Sequence, residues 1–431
     1  MKKIVLGLIV STLVFGLAAQ SRPFEVSKNS YDPFIAQKGG FESLFVNPAA
    51  MAGETDIFTW DIEGGMQGKK STFDTIQLMM NNSELLSGES TAAELTPADA
   101  EQIMDLLAEN MTDQTVQDLL ASTSLDGSIT TPEELIAYLE NNEISETDAT
   151  QIAQNIENDP AILEDAVNGL IGELKVNVEF TTKMGTLIKG FGIGIYGNAY
   201  SVLDAGQMGF DTLIAETGVK AGYGFNIGPF GIGVSGDFAM IGDFTGDGQG
   251  IALADIGGIM NHTMYYGYAW GIDAGMTFDI LPSLTVGAVM TDIIGTYNYV
   301  GITTLENMMS GATPAKLSYD YKFDLDLDMG ITWSPKIGSG KLLNFSFSAD
   351  YYDFIGMFRT PPQNFQDVVD HMRFGAHMQL LSFINARAQY YQEYFTVGAG
   401  VDLLFLEVYG EFQFKQTFDD IGAAALVKLH F

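Results

Sequence analysis

The sequence predicts an all-β transmembrane barrel of about fourteen antiparallel strands, interrupted by an acidic α-helical insert. Three observations predict it. From Tyr319 to Trp333 every odd position is aromatic or aliphatic and every even one is polar, charged or Gly. Side chains alternate across a strand, so Tyr319, Tyr321, Phe323, Leu325, Leu327, Met329, Ile331 and Trp333 share one face, and Asp320, Lys322, Asp324, Asp326 and Asp328 take the other. Few soluble strands run this long, and aromatic ends around an aliphatic middle match the exterior of a membrane-spanning strand. The alternating segments number fourteen, an even count. Their connections also sort by length, long ones on one side and short turns on the other.

The chain opens with Lys2 and Lys3, an apolar run from Ile4 to Leu17, and the small residues Ala18 and Ala19. That is the three-part layout of a secretory signal peptide, so residues 1–19 are expected to be removed. The run falls short of the ~20 residues a spanning helix needs. No later stretch is continuously apolar for that length, so the membrane must be crossed by strands. With no Cys in the chain, disulfides, thiolate metal sites and cysteine nucleophiles are excluded. A formal net charge of -35 argues against nucleic acid as a partner, because a polyanion is bound through Lys and Arg.

Residues 20–53 show little alternation and end in Asn47-Pro48-Ala49-Ala50-Met51-Ala52-Gly53. The first barrel strand is expected at 54–66, and residues 67–173 form the insert. Between Ser71 and Leu174 there is no Lys or Arg, and acidic residues recur every few positions. Thr96-Pro97-Ala98-Asp99, Thr131-Pro132-Glu133-Glu134 and Ser145-Glu146-Thr147-Asp148 each set a hydroxyl three residues before a carboxylate, the pattern of a helix N-terminus. Ile103, Leu106 and Leu107 follow the first, Leu135, Ile136 and Leu139 the second, and Ile152 and Ile156 the third, all at helical spacing. A further helix is expected over 160–170.

The remaining strands, within residues 174–431, are expected at 174–184, 189–200, 211–225, 229–240, 264–279, 284–297, 316–334, 341–353, 371–380, 383–391, 394–402, 405–415 and 421–431. An even count with both termini in the periplasm makes the connections after odd-numbered strands extracellular. Those connections are the insert and residues 201–210, 241–263, 298–315 and 354–370, then two short ones. In the last strand Ile421, Ala423, Ala425, Val427, Leu429 and Phe431 share a face opposite Lys428 and His430. Val408, Phe412 and Phe414 likewise oppose Glu407, Glu411, Gln413 and Lys415. The expected interior is therefore polar and the exterior apolar, in contact with outer-membrane lipid.

A terminal aromatic on an alternating strand resembles the C-terminal signal of bacterial outer-membrane proteins. More specifically, a pre-barrel segment ending in Asn47, Pro48 and Ala49, followed by fourteen strands, resembles the FadL family of outer-membrane channels for long-chain fatty acids and other hydrophobic compounds. That resemblance implies that residues 20–53 are a hatch inside the barrel, that the third strand is kinked to open the wall sideways, and that no cofactor is used. The kink would fall at Gly190, Gly192, Gly194 and Gly197. Glycines in a strand also make room for another backbone, and here that means the hatch. Asn47 and Pro48 suit either a fold-back of the hatch or an ordinary turn. The insert departs from the family pattern. It leaves open a cation-preferring general porin, favoured by the inner-face aspartates, and a surface interaction or secretion-carrier protein with the insert as its working part.

Apolar residues in the long connections are candidates for capturing an acyl ligand: Ile251, Leu253, Ile256, Ile259, Met260, Leu305, Met308, Met309, Met357 and Phe358. The plainer expectation is that they pack the loops together. Residues 122–133 imitate a calcium loop, with Asp126 at position five and Glu133 at position twelve, but Ser122 and Ser124 stand where carboxylates are needed. Two carboxylates make a poor cage, so a linker between helices is the favoured reading and no metal is expected. His262, His371, His377 and His430 have no metal-ligand spacing. No nucleophile elbow, phosphate loop or dinucleotide fingerprint occurs in a supporting context, so an enzyme is not expected.

Overall fold

The computed structural model describes residues 32–73, 104, 107–108, 111–139, 141–158, 175–204, 209–245, 251–252, 262–311, 315–321, 325–335, 342–359 and 361–431. They form two compact units, a barrel unit and a unit built from residues 68–176 and 203–209.

In the barrel unit the strands are β1 (Thr55–Lys69), β2 (Lys175–Ile188), β3 (Phe191–Asp204), β4 (Gly209–Ile227), β5 (Phe230–Asp243), β6 (Thr263–Leu281) and β7 (Leu284–Thr304). Then come β8 in two segments (Ala315–Tyr321 and Asp326–Trp333), β9 (Leu343–Tyr351), β10 (Met372–Leu380), β11 (Ile384–Tyr391), β12 (Tyr394–Leu403), β13 (Leu406–Lys415) and β14 (Asp420–His430). Each pairs with its neighbours in sequence, β14 pairs with β1, and β8 pairs with both β7 and β9, so the sheet closes on itself. A two-residue strand, Ile251–Ala252, adds to β4 outside the ring. Closure leaves no unpaired edge, which is what a β-structure needs in a hydrocarbon environment.

The surface is that of a membrane protein. Along β5 the apolar Phe230, Ile232, Val234, Phe238 and Met240 are exposed, while the polar Ser235 is buried. In the second segment of β8, Ile331 and Trp333 are exposed and Thr332 is buried. A soluble protein would show the inverse. Lipid explains it, because water would charge roughly 25 cal/mol for each Å² of apolar surface left in contact with it. Aromatic rings gather at both ends of the wall: Phe431 stacks on Phe405 at 6.4 Å at the end that holds the C-terminus, and Phe414 on Phe418 at 4.6 Å at the other.

Strand β7 runs past the expected end at 297. Its last residues keep pairing with the start of β6, across a register shift at Tyr266/Gly267. Alternation breaks at such a bulge, which hides the continuation from a period-of-two reading. Both segments of β8 pair along β7, Tyr321 opposite Tyr297 and Asp326 opposite Thr291, as one strand would. Residues 322–324 between them lie outside the described residues.

The second unit has its own apolar core. Helices α2 (Asp113–Leu119), α3 (Pro132–Leu139) and α4 (Glu146–Asn158) follow the short α1 (Ser43–Val46) of the barrel unit. Met104, Leu107, Val116, Leu119, Leu120, Leu135, Leu139, Ile152 and Ile156 pack together. Thr112 caps α2 by accepting from Thr115 N at 3.1 Å, and Ser145 caps α4 by accepting from Asp148 N at 3.1 Å. The helix expected over 160–170 lies outside the described residues.

Candidate functional site

The site is built where residues 32–53 meet the wall. Asn47 is buried and caps a 3-10 turn, Pro48–Met51, by accepting from Ala49 N at 3.0 Å. Its Nδ2 donates to Ile35 O at 2.8 Å, which folds the segment back on itself. Three wall glycines make space for this turn, and they are cross-strand neighbours: Gly224 pairs with Gly233 and Gly233 with Gly275. A Cβ on Gly275 would fall 1.9 Å from Asn47 Oδ1, one on Gly233 2.3 Å from the Pro48 carbonyl carbon, and one on Gly224 2.4 Å from Pro48 O. Any larger residue in this row would push Asn47, Pro48 and Ala49 off the wall.

The third strand repeats the device. A Cβ on Gly194 would meet the Phe41 ring at 2.5 Å, and one on Gly192 would meet Met51 Sδ at 3.0 Å. Gly190 has a φ of +84° and its N–H donates to Glu54 O, so a left-handed backbone joins β3 to the segment. Gly197 falls out of phase with these contacts.

Charged groups hold the other side. Arg373, 1% exposed, donates to Asp32 O at 2.7 Å and to Pro33 O at 3.3 Å, with its guanidinium 4.1 Å from the centre of the Phe34 ring. A further donation to Gln389 Oε1 at 2.7 Å fixes its direction. Ile35 N donates to the Asp350 carboxylate at 3.2 Å, Lys38 pairs with Asp279 at 2.5 Å, and Lys183 with Asp32 at 3.4 Å. Glu42 pairs with Lys428, the two side chains 13% and 15% exposed. Burial pushes the Glu42 carboxyl up, but the Lys428 ammonium and its hydrogen bond outweigh that and hold it below the usual carboxylate range.

An apolar strip interrupts the polar inner face. Tyr196, Ile214, Ala239, Ile241, Ala269 and Tyr297 are buried together, with Phe45 and Tyr299 packed against them. Ala239 pairs across strands with Ala269, and Ala269 with Tyr297, so the strip crosses β5, β6 and β7 at one level. Phe45 meets Tyr196 edge-on at 5.8 Å and Phe41 at 5.5 Å. Tyr196 keeps its hydroxyl satisfied by donating to Glu216 Oε1 at 2.9 Å. Sequence reasoning missed this strip, though a signal existed: Ala239 and Ile241 occupy the same phase of β5 as Ser235 and Asp237.

The loop residues proposed for ligand capture are dispersed. Ile251 and Leu305 are buried with Leu213, Ala215, Phe244 and Met264, and Met308 packs against them from α5 (Leu305–Ser310). Leu213 and Ala215 alternate with Ile214, so this cluster lies on the face of β4 turned away from the strip. Met357 is half-buried, and Phe358 is exposed with its ring edge-on to Phe354 at 5.2 Å. Leu253, Ile256, Ile259, Met260 and the side chain of Met309 lie outside the described residues. In the second unit, Asp126 accepts from Ser122 N at 3.0 Å and Glu133 lies in the first turn of α3. Among the described residues no group of three or more His, Asp or Glu is placed to hold a metal ion.

No protein-family model and no curated protein matches the chain. Solved structures do. The toluene transporter TbuX of Ralstonia pickettii has a TM-score of 0.40 at 13% identity, covering 93% of this chain and 96% of that one. A FadL homologue of Pseudomonas aeruginosa has a TM-score of 0.43 at 9% identity, covering 94% and 98%. The monoaromatic hydrocarbon channel CymD has a TM-score of 0.38 at 10% identity, covering 93% and 95%. This chain is similar in layout to all three. Its functional reading rests on its own geometry.

Proposed function

We propose that this protein is an outer-membrane channel for passive movement of hydrophobic small molecules, with long-chain fatty acids as the class to test first. In it, residues 20–53 act as a hatch. The observation that carries the proposal is the apolar strip on the inner wall, which ends on Phe45 of that segment. A water-filled pore has no use for buried tyrosine and isoleucine side chains on its lumenal face. An acyl chain does, since each methylene removed from water contributes about 0.8 kcal/mol.

The contacts of residues 32–53 with strands from β2 round to β14 speak against a general porin, which needs an open lumen. They are also of a releasable kind: ion pairs, carbonyl contacts and ring edges rather than strand pairing. A ligand arriving from the end opposite the C-terminus would displace Phe45 from Tyr196 and occupy the strip. The same shift would uncover Gly192 and Gly194, where we place a lateral exit through β3. The acidic insert then belongs on the extracellular side, since it follows β1.

Binding of a fluorescent long-chain fatty acid to the purified protein tests the proposal. Ile241→Asn puts an amide into the strip and should weaken binding by about tenfold, the scale of burying one unpaired polar group. Phe358→Ala, at an exposed residue outside the strip's packing, should not change it. Equal binding by both variants and the parent would remove the strip from the pathway.

A further inference from the structure

A cavity of about 190 Å³ lies on the arc of the lumen formed by β11, β12, β13, β1, β2 and β3, with none of its lining residues in the apolar strip. It sits at the end of the barrel opposite the C-terminus: Ile57 at the start of β1 bonds to Phe431, and Gln67 at the far end of β1 lines the cavity. Its floor is Gln389, Thr396 and Gln413, all buried. Tyr200, Tyr391 and Tyr394 supply aromatic surface, and Gln67, Asn177 and Gln392 supply further amides.

This lining is selective by what it offers and by what it lacks. A carboxamide presents two donors and a two-lone-pair acceptor, so five amides around one space suit groups that donate and accept at once, as hydroxyls do. Tyrosine rings offer flat apolar faces for the C–H surface of a sugar ring. No Lys or Arg lines the cavity and one carboxylate, Glu179, does, which disfavours an anion. No aliphatic side chain lines it, which disfavours an acyl chain. At about 30 Å³ per water the space corresponds to roughly six waters, the scale of a single hexose.

The polar groups are also held in place. Gln389 Oε1 accepts from Arg373 Nε at 2.7 Å, Gln413 Nε2 donates to Glu411 at 3.0 Å, and the Tyr394 hydroxyl donates to Asp420 at 2.6 Å. Groups whose directions are fixed before binding lose less freedom on binding.

We infer that this cavity binds one neutral, hydroxyl-rich ring: a saccharide unit, either free or as the head group of an amphiphile. The inference goes beyond the channel reading, because it needs neither the hatch nor the apolar strip, and the two can fail separately.

The test uses the full chain in a detergent without a sugar head group, and follows binding by saturation-transfer NMR. Glucose and galactose are the free probes, octyl glucoside the amphiphilic one and glucuronate the charged control. A neutral hexose should saturate, with glucuronate weaker by about tenfold because of Glu179. Tyr200→Ala and Gln392→Ala should each weaken hexose binding by about tenfold or more, the scale of losing two or three contacts. Gln392 stands in the turn between β11 and β12, so its variant leaves strand pairing intact and keeps the test decisive if Tyr200→Ala folds poorly. If octyl glucoside binds tighter than glucose but loses the same factor in the variants, the head-group source is favoured. Absence of any saturable hexose signal, or affinities unmoved by both substitutions, overturns the inference. So does octyl glucoside binding that ignores the variants while free hexose does not bind, since the chain is then what is recognised.

Discussion

Replacing Arg373 with Met should loosen the hatch, at the cost within the wall of the bond to Gln389. Methionine keeps most of the buried stem and removes the fork that reaches Asp32 O, Pro33 O and the Phe34 ring. A hydrogen bond from a charged donor contributes about 1.5–3 kcal/mol. Water in the lumen can replace part of each, so the low end applies to both carbonyl contacts, giving about 3 kcal/mol. The ring contact adds about 0.5–1 kcal/mol. At 1.4 kcal/mol for each factor of ten, a loss of about 3.5–4 kcal/mol raises the open-to-closed ratio by roughly 300- to 700-fold. Single-channel recording in planar bilayers reads that ratio directly. Arg373→Lys keeps the charge but not the planar fork and should fall between. Open probability in Arg373→Met equal to that of the parent would show that these contacts do not hold the segment.

Val234, 51% exposed on β5, should tolerate no charge: Val234→Arg destabilises the barrel by about 2–4 kcal/mol if it lies near the bilayer midplane, whereas Ser235→Ala on the inner face stays mild, as a urea folding titration can measure. Glu42 has a lowered carboxyl pKa, so its contribution to hatch closure is complete above the ordinary carboxylate value of about 4.3 and is lost as pH falls through its own lower value. Conductance should therefore rise on acidification below about pH 4, and Glu42→Gln should be leaky at neutral pH. Deleting residues 83–169 should leave a barrel that still shows heat-modifiable migration on a gel, because the helices of the second unit pack on one another. Loss of that migration would make the insert part of the barrel fold.

The barrel was legible because its information is local. The alternation that sets Ile331 and Trp333 against Thr332 lies within three residues, and so do the hydroxyl caps at Thr131 and Ser145. Helix α2 was less visible, since Thr112 is followed at the third position by Thr115 rather than by a carboxylate. The hatch contacts depend on sequence separations that no local pattern encodes. Arg373 meets Asp32 from 341 positions away, and the bed of Asn47 needs Gly224, Gly233 and Gly275 brought level by strand register. Asn47, Pro48 and Ala49 could be singled out as a motif, but their seat required the register. The inner strip fell between the two cases. Its residues sit in the polar phase of their strands, where Ala239 and Ile241 look like exceptions until strand register sets Ala269 and Tyr297 level with Ala239.

The central claim is that a segment of the chain closes this barrel and that its removal opens a path. Planar-bilayer conductance of the full-length protein against a variant lacking residues 22–45 tests it most directly. The account predicts little steady conductance from the full-length protein and a large one from the truncated protein, with both showing heat-modifiable migration. Large steady conductance from the full-length protein, unchanged by the truncation, would contradict the hatch and leave the open porin as the better description.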